Sequence, residues 1–136
     1  MARFACTYLV TAVVLLAIDS VWLWAMAGRL YRPQIGQLMR DSFDPVAAFL
    51  FYMLFVFGLV VFASTPSWDS TRWITPLWRG ALFGLVAYGT YDLTNQATLR
   101  GWSWLVTGAD LAWGTVLGAV ATALGLTFSR AVLRFF

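Results

Sequence analysis

Apolar residues dominate four stretches of this 136-residue chain, roughly 5–27, 46–64, 79–100 and 102–126, and polar connections separate them. Each stretch is close to the ~20 residues that a helix needs to cross a bilayer. The third connection is only Arg-Gly-Trp, so the last two stretches are expected to form a tight antiparallel hairpin. The pattern predicts an all-α fold: one integral membrane four-helix bundle formed by residues 1–136.

The composition supports a membrane protein. Hydrophobic residues make up 61% of the chain and charged residues 11%, whereas soluble domains carry about 25% charged residues. All nine basic residues are Arg, all six acidic residues are Asp, and His is absent. Without imidazole, and with Cys6 alone, the usual zinc and haem sites cannot form. The net charge of +3 is too small and dispersed to indicate nucleic acid as a partner.

The ends of the chain bear on its topology. Arg3, the following apolar run and the small residues before Gly28 fit a signal peptide, but Asp19 interrupts the run, which favours a retained first helix. An even number of spans puts both termini on one side of the membrane. Five arginines then lie on that side and four on the other, an excess that favours cytoplasmic termini.

The first two connections carry interfacial signals. In the first, Pro33 could begin a short headgroup-level helix with Ile35, Leu38 and Met39 on one face, and a solvated loop is an equal alternative. The second connection has the tryptophan and arginine pattern of an aromatic belt. It could also be a surface that meets partner membrane subunits or a second copy of the chain, through Trp68, Trp73 and Trp78.

Three of the six acidic residues, Asp19, Asp92 and Asp110, lie inside the apolar stretches. An ionised Asp at the middle of a spanning helix costs roughly 2.5–3.5 kcal/mol, so three such residues need a reason. Each lies about eight or nine residues from a predicted helix end, and alternating crossings bring those three ends to one face. We therefore expect all three carboxylates ~12–14 Å below that face.

Helical phase points these acids inward. A polar arc of about 160° on the third span places Tyr91, Asn95 and Thr98 beside Asp92 as hydrogen-bond donors. An arc of about 80° on the fourth span holds small residues on the face of Asp110. Such a groove predicts a helix-packing seam, which consists of Gly114, Gly118, Ala121 and Gly125.

The pattern Asp-x-x-Trp occurs at Asp19 and Trp22 and again at Asp110 and Trp113. It sets each acid one helical turn from an indole N–H donor. The predicted ligand-binding cluster therefore consists of Asp19, Tyr91, Asp92, Asn95, Thr98, Asp110 and Trp113.

Three functions are open for such a cluster. It could bind the polar head of a small amphipathic, lipid-like ligand, or a cation or proton; an all-oxygen site favours Mg²⁺ or Ca²⁺ over transition metals. It could instead be interhelical glue in a non-catalytic subunit of a larger membrane complex. It could also serve an enzyme that modifies a lipid or isoprenoid, with paired acids as general acid and base. The sequence has no HExxH or Gly-rich phosphate loop, so it names no reaction, catalytic residue or cofactor.

Four segments carry a family likeness: IDSVWLW (18–24), AAFLFYMLFVFGLVVF (47–62), GALFGLVAYGTYDLTNQATLRGW (80–102) and DLAWGTVLGAVAT (110–122). In these segments the chain resembles the domain of unknown function 2177 family of small bacterial membrane proteins. The resemblance covers nearly the whole chain. It implies a four-span, multi-pass protein of the bacterial inner membrane, surrounded by membrane lipid.

Overall fold

The computed structural model describes residues 1–135, which form four long helices joined by short connections. No strand occurs among these residues. The helices span Ala2–Leu38, Pro45–Ser67, Ile74–Thr98 and Trp104–Val132. This architecture confirms the predicted all-α, four-helix fold.

The first, second and fourth helices are long and apolar enough to cross a membrane. The third helix, with 25 residues, is long enough, but its polar arc makes it less apolar than the others. It runs antiparallel beside the fourth helix, since Gly80 lies against Gly118 near one end and Thr107 donates to Gln96 near the other. That the third helix also crosses the membrane stays a prediction, and its pairing with the fourth helix supports it.

The first helix is longer than the predicted span of 5–27. After the α-helix Ala2–Met26 it continues through a π-turn at Ala27–Tyr31, an α-turn at Arg32–Ile35 and a 3₁₀ turn at Gly36–Leu38. Pro33 does begin a helical turn, but this turn prolongs the first helix and is neither a separate helix nor a loop. Ile35 is buried whereas Leu38 and Met39 are exposed, so the single apolar face predicted for these residues does not form.

The second helix begins at a capping residue. The Asp44 carboxylate accepts hydrogen bonds from the backbone N–H groups of Val46 and Ala47, at 3.0 and 3.1 Å. Pro45 occupies the first helical position, where a missing N–H costs nothing. The helix ends through a π-turn at Val60–Ser64 and a 3₁₀ turn at Thr65–Ser67. These local signals fix where the chain turns back into the bundle.

Two glycine pairs bring the third and fourth helices together. Gly80 and Gly84 of the third helix face Gly118 and Gly114 of the fourth, and a Cβ at Gly84 would meet the Gly114 carbonyl. Both pairs have the Gly-xxx-Gly spacing that lets membrane helices approach closely. The sequence predicts the fourth-helix half of this interface, and its partner in the structure is the glycine pair of the third helix.

The other two residues of the predicted seam face elsewhere. Gly125 lies against Thr11 of the first helix, and Ala121 belongs to the apolar core. That core fills the middle of the bundle with buried side chains from the first, second and fourth helices, including Leu15, Val56, Leu59 and Leu117. A polar cluster lies between this core and the end of the bundle that holds the connection between the third and fourth helices. We call that end the hairpin face.

Candidate functional site

Asp19 on the first helix is buried, and both of its carboxylate oxygens are occupied. Trp113 of the fourth helix donates its indole N–H to Oδ1 at 2.9 Å, and Tyr52 of the second helix donates its hydroxyl to Oδ2 at 2.6 Å. The side chain is 3% exposed. A buried carboxylate requires such donors, so Asp19 ties three helices together as a fully partnered group.

Asp110 on the fourth helix is partnered on one side only. Tyr31 donates its hydroxyl to Oδ1 at 2.5 Å, and Trp22 in turn donates its indole N–H to the Tyr31 oxygen at 2.9 Å. Tyr31 is the last residue of the π-turn in the first helix. Insertions of this kind redirect side chains and are frequent at functional sites. Within residues 1–135 no protein group donates to Oδ2 of Asp110.

The two Asp-x-x-Trp patterns engage each other across the bundle. The rings of Trp22 and Trp113 stack with centroids 4.3 Å apart and planes 6° from parallel. Because residues i and i+3 share a helix face, each pair projects toward the other helix. Trp113 therefore serves Asp19, and Trp22 serves Asp110 through Tyr31. Although each acid lies one helical turn from an indole, neither indole donates to the acid of its own helix.

The first and fourth helices meet at the stacked indoles of Trp22 and Trp113. The helices are antiparallel, since Thr7 pairs with Ser129 near one end and Asp19 with Trp113 further along. Each carboxylate accepts from one tyrosine, Tyr52 for Asp19 and Tyr31 for Asp110. The site thus contains two similar carboxylate units in opposite directions.

The common depth expected for the three acids stays a prediction. Asp19 pairs with Trp113, which is one turn further from the hairpin face than Asp110. Because the first helix continues to Leu38, Asp19 lies much further from the end of its helix than the nine residues expected. Asp92 and Asp110 each lie about two turns from the ends of their own helices.

Asp92 on the third helix is enclosed and unpartnered. Its exposure is 0%, and neither carboxylate oxygen has a hydrogen-bond partner among the described residues. Within residues 1–135 no three Asp or Cys side chains lie close enough together to hold a metal ion. Asp19 thus has donors on both oxygens, Asp110 has a donor on one, and Asp92 has none among the described residues. The three carboxylates do not form a single metal-binding cluster within residues 1–135.

The predicted donors of the third helix are not those that the acids use. Tyr91 is exposed and packs edge-on against Trp102, with centroids 5.7 Å apart. Asn95 is half-buried, and the exposed Thr98 donates to the backbone carbonyl of Thr94 at 2.8 Å. Of the predicted cluster, the structure joins only Asp19 and Trp113 by a direct hydrogen bond.

Sequence reasoning missed the two tyrosines that bind the acids. Tyr52 lies in the most apolar stretch, where its ring fits the hydrophobic pattern, and only its hydroxyl signals a need for a partner. Tyr31 lies in what the sequence indicates is a connection. The signal that could have found Tyr52 is a phenol in mid-span at the level of an acid on a neighbouring helix.

A cavity of about 540 Å³ reaches Asp110 between the second and third helices. Its walls are mainly apolar. The small side chains of the alanines at 47, 48 and 87 leave space beside Phe51 and Phe55. Its polar end is formed by Tyr88, Tyr91 and Asp110. This volume lies within the roughly 300–1,000 Å³ of small-molecule sites, as does an apolar lining with few polar groups.

The family comparison covers all of these residues. A family described as "Predicted membrane protein (DUF2177)" matches residues 4–127. The chain belongs to the DUF2177 family. No curated protein and no solved structure matches it. The match to DUF2177 includes Asp19, Asp92, Asp110 and the tyrosine and tryptophan partners of these acids, so the site lies in the segment that defines this family of membrane proteins.

Proposed function

We propose that the protein binds a small amphipathic, lipid-like ligand in the cavity that ends at Asp110. The observation that carries this proposal is the free carboxylate oxygen of Asp110 at the end of an apolar cavity. The ligand's apolar body lies along Phe51 and Phe55. Its head, a hydroxyl or an amine, donates to Oδ2 of Asp110, since a carboxylate oxygen accepts and does not donate.

Tyr31 holds the Asp110 carboxylate in one orientation. Its hydroxyl holds Oδ1 at 2.5 Å, and the Trp22 indole fixes the hydroxyl in turn. The Tyr31 hydroxyl thereby fixes the orientation of the carboxylate before any ligand binds. Orientation in advance reduces the entropy that binding must overcome.

Asp92 is the residue that we propose to hold a proton or a cation. A carboxylate with 0% exposure and no donor is compatible with a neutral carboxyl group or with a cation beside it. We favour the neutral form, because no third acidic or cysteine ligand lies nearby within residues 1–135. Neutral Asp92 leaves Asp110 as the acceptor for the ligand.

A structural role fits Asp19 better than a binding role. Both of its oxygens are occupied by protein donors, so it acts as interhelical glue. This is the function that the subunit interpretation assigns to the whole cluster. In that interpretation the exposed Trp73 and Trp78 meet partner subunits or a second copy, while Trp68 packs against Arg3 and Arg130.

An enzyme acting on a lipid or isoprenoid would use the same cavity, with Asp110 as general acid or base. Chemical change in the retained molecule during incubation is the outcome that would replace binding with catalysis. Family and hydropathy place the protein in a membrane. We further propose the bacterial inner membrane, with cytoplasmic termini.

A cavity-filling variant tests the proposal. Ala48→Trp places an indole in the cavity, whereas Val46→Trp adds the same ring to an exposed position of the same helix. Gently extracted wild type and Val46→Trp should retain a small molecule in native mass spectra, and Ala48→Trp should lose it while keeping its helical circular dichroism. Equal retention by both variants would contradict the proposed site.

A further inference from the structure

A second candidate site lies at the opposite end of the bundle, which we call the terminal face. There the first helix begins at Ala2, the second ends at Ser67, the third begins at Ile74 and the fourth ends at Val132. The polar and charged groups at this face are not used by the site at Asp110.

Arg130 and Arg3 converge on one indole at the terminal face. The Arg3 guanidinium lies 5.4 Å from the ring centroid of Trp68, and the Arg130 guanidinium lies 5.8 Å from the same centroid. Arg130 also donates through Nη2 to the backbone carbonyls of Ser67, at 2.9 Å, and of Trp68. Its Nη1 and Nε donate to no protein group in the described chain. Two guanidinium groups thus lie against one indole ring, and only that of Arg130 donates to the backbone of the described residues.

Within residues 1–135 no acidic side chain forms an ion pair with Arg3 or Arg130. The one ion pair within residues 1–135, between Arg40 and Asp44, is at the hairpin face. The terminal face holds a single acid, Asp69, which forms no ion pair there, against five arginines: Arg3, Arg72, Arg79, Arg130 and Arg134. Like charges held close together repel, so an anion from outside the chain would stabilise this arrangement.

A pocket of about 320 Å³ lies directly beside Arg130. Hydroxyls of Ser70, Thr71 and Thr127 line it together with the guanidinium, and Leu77 and Leu124 form part of its apolar wall. Arg130 therefore contacts the Trp68 ring and also lines a space bordered by hydroxyl-bearing and apolar residues. A phosphate joined to an acyl chain has the matching distribution of charge and apolar surface.

We infer that the pocket beside Arg130 binds one anionic phospholipid. Its phosphate accepts hydrogen bonds from the free guanidinium donors of Arg130, and Arg3 adds favourable charge across the Trp68 ring. The first part of an acyl chain lies against Leu77 and Leu124. The apolar wall is the reason for assigning a phospholipid and not free phosphate, and the position at the ends of the spanning helices is headgroup level.

Native mass spectrometry with short-chain lipids tests this inference. Purified full-length protein is titrated with dioctanoyl phosphatidylglycerol or dioctanoyl phosphatidylcholine, and the bound fraction gives an apparent Kd. An Arg beside an anionic headgroup contributes enough to change the Kd about fivefold. Arg3→Gln should weaken phosphatidylglycerol binding by about that factor, and Arg130→Gln by more. Arg100→Gln, at the hairpin face, is the matched control and should leave the Kd unchanged.

Arg3→Gln decides the test if Arg130→Gln fails to fold, because the Arg3 guanidinium donates no hydrogen bond to the described chain and its loss leaves the Ser67 and Trp68 carbonyls paired. Equal Kd values for Arg3→Gln and Arg100→Gln would overturn the inference. So would equal binding of phosphatidylcholine and phosphatidylglycerol to wild type. Displacement of phosphatidylglycerol by equimolar inorganic phosphate would also overturn it, since the site would then hold a free ion.

Discussion

Trp113 in the fourth helix donates its indole N–H to Asp19 in the first helix, across 94 positions of sequence and at 2.9 Å. The same Trp113 ring stacks on Trp22, whose own N–H leads through Tyr31 to Asp110. One stacked pair of indoles therefore links two buried carboxylates. The two carboxylates differ: Asp19 accepts a hydrogen bond on each oxygen, whereas Asp110 accepts one from Tyr31 on Oδ1 and lines the cavity.

Tyr52→Phe should destabilise the protein by about 0.6–2 kcal/mol, because it removes one of the two donors that Asp19 uses. Tyr8→Phe is the control, since Tyr8 donates to the Met53 carbonyl at an exposed position and should cost less. Unfolding in mixed micelles by added denaturing detergent measures both. An equal cost for the two variants would mean that Asp19 does not depend on Tyr52.

The indole stack should couple Trp22 and Trp113 energetically. A double-mutant cycle with Trp22→Phe and Trp113→Phe should give an interaction free energy of about 0.5–1.5 kcal/mol, the range for packed aromatic pairs. A control cycle with Trp24→Phe and Trp113→Phe should give no interaction free energy, because Trp24 is 85% exposed. Additive free energies of unfolding for the first pair would contradict the stacked geometry.

Gly84→Ala should separate the third and fourth helices, because the added methyl group would meet the Gly114 carbonyl. We expect the free energy of unfolding to fall by about 1–3 kcal/mol. Gly108→Ala makes the same chemical change in the fourth helix at a position with open space, and should stabilise by about 0.5–1 kcal/mol. Similar effects of the two substitutions would be incompatible with the close glycine interface.

Asp92→Asn should leave the unfolding free energy within about 0.5 kcal/mol of wild type, because the native carboxyl group has no protein partner to lose. Infrared spectroscopy gives the direct test of its neutral form. A protonated-carboxyl band in wild type should be missing from Asp92→Asn and present in Asp19→Asn. A wild-type spectrum without that band would show that Asp92 is ionised, and would favour a bound cation.

The fold could be predicted from the sequence largely because long apolar stretches separated by polar connections have few solutions in a membrane. The continuation of the first helix could not. Gly28 and Pro33 are ordinary signals for a helix end, but the π-turn at Ala27–Tyr31 carries the helix past them. That turn also places Tyr31 within reach of Asp110.

The acids of the site could be found from the sequence, and their partners could not. A charged residue in an apolar span is conspicuous whatever the packing. Its donors depend on how each neighbouring helix is rotated, which periodicity in a single sequence leaves undetermined. For this reason Tyr91, Asn95 and Thr98 were predicted as donors, while Tyr31 and Tyr52 occupy that role in the structure.

The difference between the two carboxylates is the central claim, and a matched pair of variants tests it most directly. Native mass spectra and unfolding free energies would be measured for wild type, Asp110→Asn and Asp19→Asn. Asp110→Asn turns a donor toward the cavity, so it should lose the retained molecule while staying folded. Asp19→Asn should keep the molecule and unfold more easily. Retention of the molecule by Asp110→Asn, or its loss from a stably folded Asp19→Asn, would contradict the account.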